Sequence, residues 1–205
     1  MRLLAWMVAL TLLTGCNAVV TKAPMFTQAD EAGAPALRPG LWRFITDPDC
    51  KVDESLPLAE WPECGGGVVL KPGTAGYYDH KTEKPVWTVQ PFVIAGGTPR
   101  IAQAQVVVSG DVKLDASPYA YAGLRSTKLD PQGRITAFAF WVVQCGEPSS
   151  DGDHVTTHPL PGMDIKPGDP VCATTSADAL RKAAKASEAW SPKPLSARWL
   201  RDAPG

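Results

Sequence analysis

The chain has 205 residues and a mass of 21.8 kDa, the size of one ordinary domain or of a domain with appendages. Hydrophobic residues at 44% and charged residues at 20% permit a packed core and exclude wholesale disorder. A formal net charge of -1 leaves no basic surplus for gripping phosphates, so no nucleic acid is expected as a partner, while 18 glycines and 20 prolines favour a turn-rich β protein over a helical bundle.

Residues 1–15 read MRLLAWMVALTLLTG, with Arg2 ahead of an apolar run from Leu3 to Leu13. That run is too short for the roughly 20 residues a spanning helix needs, and its layout is that of a secretory signal peptide. It closes on Leu13-Thr14-Gly15-Cys16, two small residues and then a thiol. This tetrapeptide resembles the lipobox of bacterial lipoproteins. The resemblance implies cleavage before Cys16, a diacylglyceryl thioether on its sulfur and three acyl chains in the mature protein, enough for stable membrane attachment. Asn17 in place of an aspartate implies sorting to the outer membrane, with the body in the periplasm. An uncleaved anchor over residues 3–20 competes with this reading, but Thr11, Thr14, Gly15 and Asn17 make that stretch a poor spanning helix.

Residues 16–37 are rich in alanine, proline and small polar residues, which predicts a lipid-anchored tether with a reach of about 25 Å if flexible. Met25 and Phe26 are out of place in a free tether and point to partial packing. The folded body is expected over 38–205. Leu37-Arg38-Pro39-Gly40, Leu70-Lys71-Pro72-Gly73 and Ile165-Lys166-Pro167-Gly168 share an apolar–basic–Pro–Gly form suited to type II turns. Four cysteines remain once Cys16 is set aside: Cys50, Cys64, Cys145 and Cys172. An even number in an exported chain points to disulfides. Three pairings are open, and loop-closure entropy favours Cys50–Cys64 with Cys145–Cys172.

Strands are predicted at 41–46, 67–71, 76–79, 85–94, 101–109, 118–129 and 134–144. In 101–109 the alternation sets Ala102, Ala104, Val106 and Val108 on one face and Gln103, Gln105 and Ser109 on the other. Segment 134–144 is apolar on both faces and should be a central strand. Leu129-Asp130-Pro131-Gln132-Gly133-Arg134 marks the turn of the main hairpin, and Pro91 an edge, bulge or bend. Residues 145–170 read as loop, with a short strand near 155–157. A helix is expected over about 176–190, capped by Ser176, with Ala177, Leu180, Ala184 and Trp190 on its apolar face and Ser191-Pro192 at its end. Trp199 in the tail is expected to pack.

Together these elements predict a mainly β protein: a single antiparallel sheet, barrel-like or a sandwich, of about 7–8 strands with a C-terminal α-helix. The order of elements, with Gly40-Leu41-Trp42 opening the first strand, resembles lipocalin-like barrels. Trp61-Pro62-Glu63-Cys64 resembles an element of envelope lipoproteins of uncharacterised activity.

The chain carries no GxSxG elbow, SxxK, HExxH or Walker loop, so no catalytic residue, metal or cofactor is expected. The best metal candidate, Asp151-Gly152-Asp153-His154 through His158, fails on geometry. Val155-Thr156-Thr157 favours a strand, in which histidines four apart stand about 13 Å from each other. His80 reads as a loop residue. Six tryptophans remain after Trp6 goes with the signal peptide, and core filling is their ordinary use. Two functions fit: a non-enzymatic structural or protein-interaction module with an envelope protein as partner, or a carrier for a small apolar ligand inside a barrel.

Overall fold

The computed structural model describes residues 17–72, 74–88, 92–105, 118–149, 158–166, 171–191 and 193–203. The signal peptide, Cys16, Pro91, the short strand expected at 155–157 and the Pro167-Gly168 turn lie outside them. The described strands are β1 (Ala18–Thr21), β2 (Gly40–Ile45), β3 (Gly67–Lys71), β4 (Thr74–Asp79), β5 (Lys84–Thr88), β6 (Val93–Ala95), β7 (Arg100–Gln105), β8 (Tyr119–Leu129), β9 (Ile135–Val142), β10 (Asp164–Ile165), β11 (Val171–Ala173) and β12 (Leu195–Arg201). One α-helix among the described residues, α1 (Ala177–Trp190), precedes β12.

The protein is mainly β with one C-terminal helix, as its composition and periodicity lead one to expect. The strand count and the closure differ. Twelve described strands form one hydrogen-bonded sheet: ten follow the path β10-β11-β1-β8-β9-β12-β2-β3-β4-β5, and β7 branches from β8 with β6 on β7. Among the described residues the path has two ends, at β10 and β5, and the branch ends at β6, so the sheet is not a closed barrel of 7–8 strands. Nor is it wholly antiparallel, because β1 runs parallel to β11. The additional strands are the short ones, β1, β10 and β11, and the tail strand β12, and the segment expected as one strand at 85–94 gives two, β5 and β6.

By contacts the chain forms two units. The first takes residues 1–34, 92–125 and 141–194; the second takes 35–91, 126–140 and 195–205.

In the first unit, Val19, Phe26, Ile101, Tyr121, Val143 and Leu180 are buried in one core. Helix α1 starts where Ser176 accepts a hydrogen bond from the Ala179 amide at 3.2 Å, with Asp178 in its first turn. Its buried face is Ala179, Leu180, Ala183, Ala184 and Ser187. That face is rotated from the expected one, and its small side chains let the sheet approach closely. The Trp141 indole of β9 donates to the Ala184 carbonyl at 2.8 Å, and the Gln144 amide donates to Ser187 Oγ at 2.8 Å.

Strand β7 keeps the expected alternation and buries the face that carries Gln103. Ile101 and Gln103 are buried, at 0% and 1% exposure, while Ala102 and Ala104 are only half-buried. Gln103 is tolerated inside because it stands in for a strand partner. Its Oε1 accepts from the Met25 and Phe26 amides at 2.7 and 2.8 Å, and its Nε2 donates to the Phe26 carbonyl at 3.0 Å.

In the second unit, β2, β3, β4 and β5 form a meander, and β12 lies between β2 and β9. Trp42 and Phe138, buried, and Phe44 and Phe140, half-buried, form an aromatic cluster with ring centroids 5.4–5.9 Å apart. Ala197 of β12 is the small residue paired with both Phe44 and Phe138. The hairpin joining β8 to β9 turns where expected: Gly133 sits at φ 76, and Asp130 Oδ1 accepts from the Gln132 and Arg134 amides at 3.0 and 2.8 Å.

Candidate functional site

The lipidation residue Cys16 lies outside the described residues, but the residue bonded to it does not. Asn17 is 1% exposed. Its carbonyl accepts from the Cys145 amide at 2.5 Å and its Nδ2 donates to the Gly146 carbonyl at 2.7 Å. Its φ of 31 falls in the left-handed region, which asparagine tolerates better than most residues. Ala18 pairs with Val171 on one side and Gln144 on the other, and Val19 stands opposite Cys172.

The Cys145–Cys172 disulfide, with Cα atoms 5.9 Å apart, thus brackets the point where the chain enters the fold. Both half-cystines are buried, at 0% and 2% exposure. The stretch expected as a tether is therefore part of the body from its second residue onward. Ala18–Thr21 supplies a strand between β11 and β8, and Phe26 is 3% exposed. Alanine and proline in the flanking sequence mask this four-residue strand.

The second disulfide, Cys50–Cys64, also has its Cα atoms 5.9 Å apart and closes the excursion between β2 and β3. Glu54, on that excursion, takes Arg43 Nη1 at 2.6 Å and also Arg198 Nη2. Arg43 Nη2 reaches the Cys50 carbonyl at 2.8 Å, and Arg201 donates to the Glu54 and Leu56 carbonyls. Arg43 and Arg198 are directly paired across β2 and β12, a like-charge juxtaposition that the Glu54 carboxylate neutralises. Trp61 packs beneath, 3% exposed, with its indole on the Leu56 carbonyl at 3.2 Å. Sequence reasoning missed this cluster, since only the strand register brings Arg43 and Arg198 together. Charged residues inside otherwise apolar strands are the one signal that could have pointed to it.

Burial alone would raise the Glu54 pKa, but the hydrogen bonds and charges of Arg43 and Arg198 outweigh it and hold the carboxyl below its ordinary range. A carboxylate with a depressed folded-state pKa contributes stability that is present above its ordinary value of 4.5 and lost as pH falls through the lowered one. The Glu54→Gln variant is accordingly expected to be less stable at neutral pH and to lose less stability on acidification. Urea denaturation at neutral pH and below pH 4.5 checks this; parallel loss in both proteins would show that the carboxylate is not linked to folding.

Asp151, Asp153 and His154 of the metal candidate lie outside the described residues, whereas His158 is described and engaged in an interaction. Among the described residues no group of three or more His, Cys, Asp or Glu is placed to hold a metal ion. His80 stacks edge-on against Tyr78, with centroids 5.1 Å apart. Trp42, Trp61 and Trp141 are buried, Trp190 is half-buried, and Trp199 lies under the Arg38 guanidinium at 3.5 Å. Trp87 departs from core filling: it is 49% exposed and lies flat over Gly76, with Lys71 Nζ 4.7 Å from its ring centroid. No described helix is long and apolar enough to cross a membrane.

Comparison with known proteins gives no match: no family model, no curated protein and no solved structure fits the chain.

Proposed function

We propose that the protein is a lipoprotein of the bacterial cell envelope, attached through acyl chains on Cys16, whose body is a non-enzymatic structural or protein-interaction module facing the periplasm. The observation that carries this reading is the pair of disulfides, Cys50–Cys64 and Cys145–Cys172, in a chain whose leader ends in Leu13-Thr14-Gly15-Cys16. Disulfides persist in oxidising compartments, and the leader supplies a route into one. The alternative, an apolar-ligand carrier, rested on a barrel interior. The described sheet is open, and the buried Trp42 and Phe138 rings pack on each other in the second unit, which favours the interaction module.

Placement in the outer membrane is a finer part of the proposal. It rests on Asn17 standing where a retained lipoprotein would carry aspartate. The fold gives Asn17 a second reason to be asparagine, namely its left-handed φ and its bond to Gly146.

Each buried acyl methylene contributes about 0.8 kcal/mol to membrane binding, so loss of the chains is decisive. The Cys16→Ser variant is expected to incorporate no labelled palmitate and to leave the membrane pellet. Normal trimming and pelleting of that variant would overturn the proposal. Native mass spectrometry of the solubilised wild-type protein then separates the two body functions: a co-purifying envelope protein supports the module, and a stoichiometric small ligand supports the carrier.

A further inference from the structure

We infer that the folded body is held directly against the lipid headgroups, with no tether between anchor and fold, so that the surface bordering Asn17, Gly146, Glu147 and Val171 faces the bilayer carrying the protein's own acyl chains. This inference rests on the lipoprotein reading of Cys16 and adds to it the partner surface and the orientation of the first unit.

The argument is one of chain length. A flexible linker of n residues gives a root-mean-square reach of about 5–6 Å times the square root of n. The expected twenty-odd residues would let the body drift about 25 Å from the membrane. The structure leaves n at zero. The thioether sits on residue 16, adjacent Cα atoms are about 3.8 Å apart, and residue 17 is already 1% exposed.

Asn17 is also held at three points that cannot yield separately. Its carbonyl is bound by the Cys145 amide, its side-chain amide by the Gly146 carbonyl, and its neighbour Ala18 is paired on both sides. The Cys145–Cys172 disulfide links the two segments that grip it, so the chain cannot peel away there without breaking the core at Val19, Val143 and Cys145. Side-chain bonds of one residue are then the whole distance between acyl chains and protein. A body rooted so closely cannot rotate freely over the membrane, and any partner must meet it at the level of the headgroups.

The test uses the full-length protein in its own envelope. A photo-crosslinking benzoylphenylalanine is placed at exposed Glu147, next to Gly146, or at exposed Asp178 as control. Asp178 lies in the first turn of α1, about 13 Å along the helix axis from Ser187, which binds Gln144 beside Ala18. Each variant is made with and without a twelve-residue Gly-Ser spacer between Cys16 and Asn17, and lipid adducts are read by mass spectrometry alongside palmitate labelling. The expected result is severalfold more lipid adduct at Glu147 than at Asp178. The spacer is expected to collapse this to the control level while labelling and membrane pelleting persist. Equal adduct at both positions, adduct that ignores the spacer, or a protein adduct replacing the lipid one overturns the inference and leaves the anchor intact. Absence of palmitate from every variant overturns the anchor and the inference together.

Discussion

Replacing Cys145 and Cys172 together by alanine is expected to lower the unfolding free energy by about 3.5 kcal/mol, the chain-entropy value for a loop of this length. Their separation of 27 residues places this cross-link above the Cys50–Cys64 pair, separated by 14 residues, whose removal is expected to cost about 3 kcal/mol by the same relation. Structure adds to the difference. Cys145 and Cys172 are buried among Val19, Met163 and Leu180, so two alanines also leave a small void. The strands they fasten are too short to hold by themselves: β1 and β11 share two registered pairs, and β10 and β11 share two more. Losing the bridge should therefore loosen β11 from β1 and free Asn17 from its grip on the Cys145 amide. Urea denaturation gives the midpoint shift, and hydrogen exchange at Ala18, Val19 and Cys145 reports the local opening. A loss of less than about 1 kcal/mol would mean that residues 17–21 are held by their pairing with β8 and by the Asn17 and Val19 hydrogen bonds rather than by the bridge, since typical native disulfides contribute 2–5 kcal/mol.

Local patterns carried some elements and failed on others, for a physical reason in each case. Strand β3 spans 67–71 as read, because Gly-Val-Val-Leu-Lys lies between a glycine run and a Pro-Gly turn. Helix α1 was legible from its Ser176 cap and alanine-leucine spacing, and the β8–β9 turn from Asp130 and Gly133. Strand β1 was hidden because only four residues, Ala18–Thr21, pair before the chain changes direction. Which face of β7 is buried was not legible, because a polar side chain such as Gln103 enters a core only when its partners are fixed, here by the backbone at Met25 and Phe26. The place of β12 between β2 and β9 is set by pairings between residues far apart in sequence, such as Ala197 with Phe44 and Phe138, which no local window encodes. Barrel closure failed for a related reason. Gly40-Leu41-Trp42 fixes how a strand begins, while closure is decided at the far ends of the sheet, by β5 and β10. The same holds for Glu54, whose two arginine partners come from β2 and β12.

A single methyl group at Gly123 is expected to cost as much as a large core truncation. In a strand of ordinary φ, exchanging glycine for alanine normally stabilises by roughly 0.5–1 kcal/mol through the unfolded state. At Gly123 the new Cβ would fall on the Trp141 indole, 2.7 Å from Cζ2 and closer still to Nε1 and Cε2. Trp141 has no room to retreat: it is 2% exposed, and its Nε1–H is committed to the Ala184 carbonyl at 2.8 Å. The added methyl overpacks the contact between strand and ring, and the ring in turning away leaves a buried indole N–H without an acceptor. Overpacking costs about 1–3 kcal/mol and an orphaned buried donor about 1–3 kcal/mol, so a net loss of about 2–4 kcal/mol is expected for Gly123→Ala. The mechanism is separable from any general intolerance of the strand, because the clash needs the indole. In a Trp141→Phe background the smaller ring lacks the atoms that collide, and the added cost of Gly123→Ala should fall below about 1 kcal/mol, a coupling of the size seen for residues in direct contact. Thermal and urea unfolding of the four proteins of this double-mutant cycle measure it. Equal costs of Gly123→Ala in both backgrounds would show that the glycine is required by the β8 backbone rather than by the ring above it.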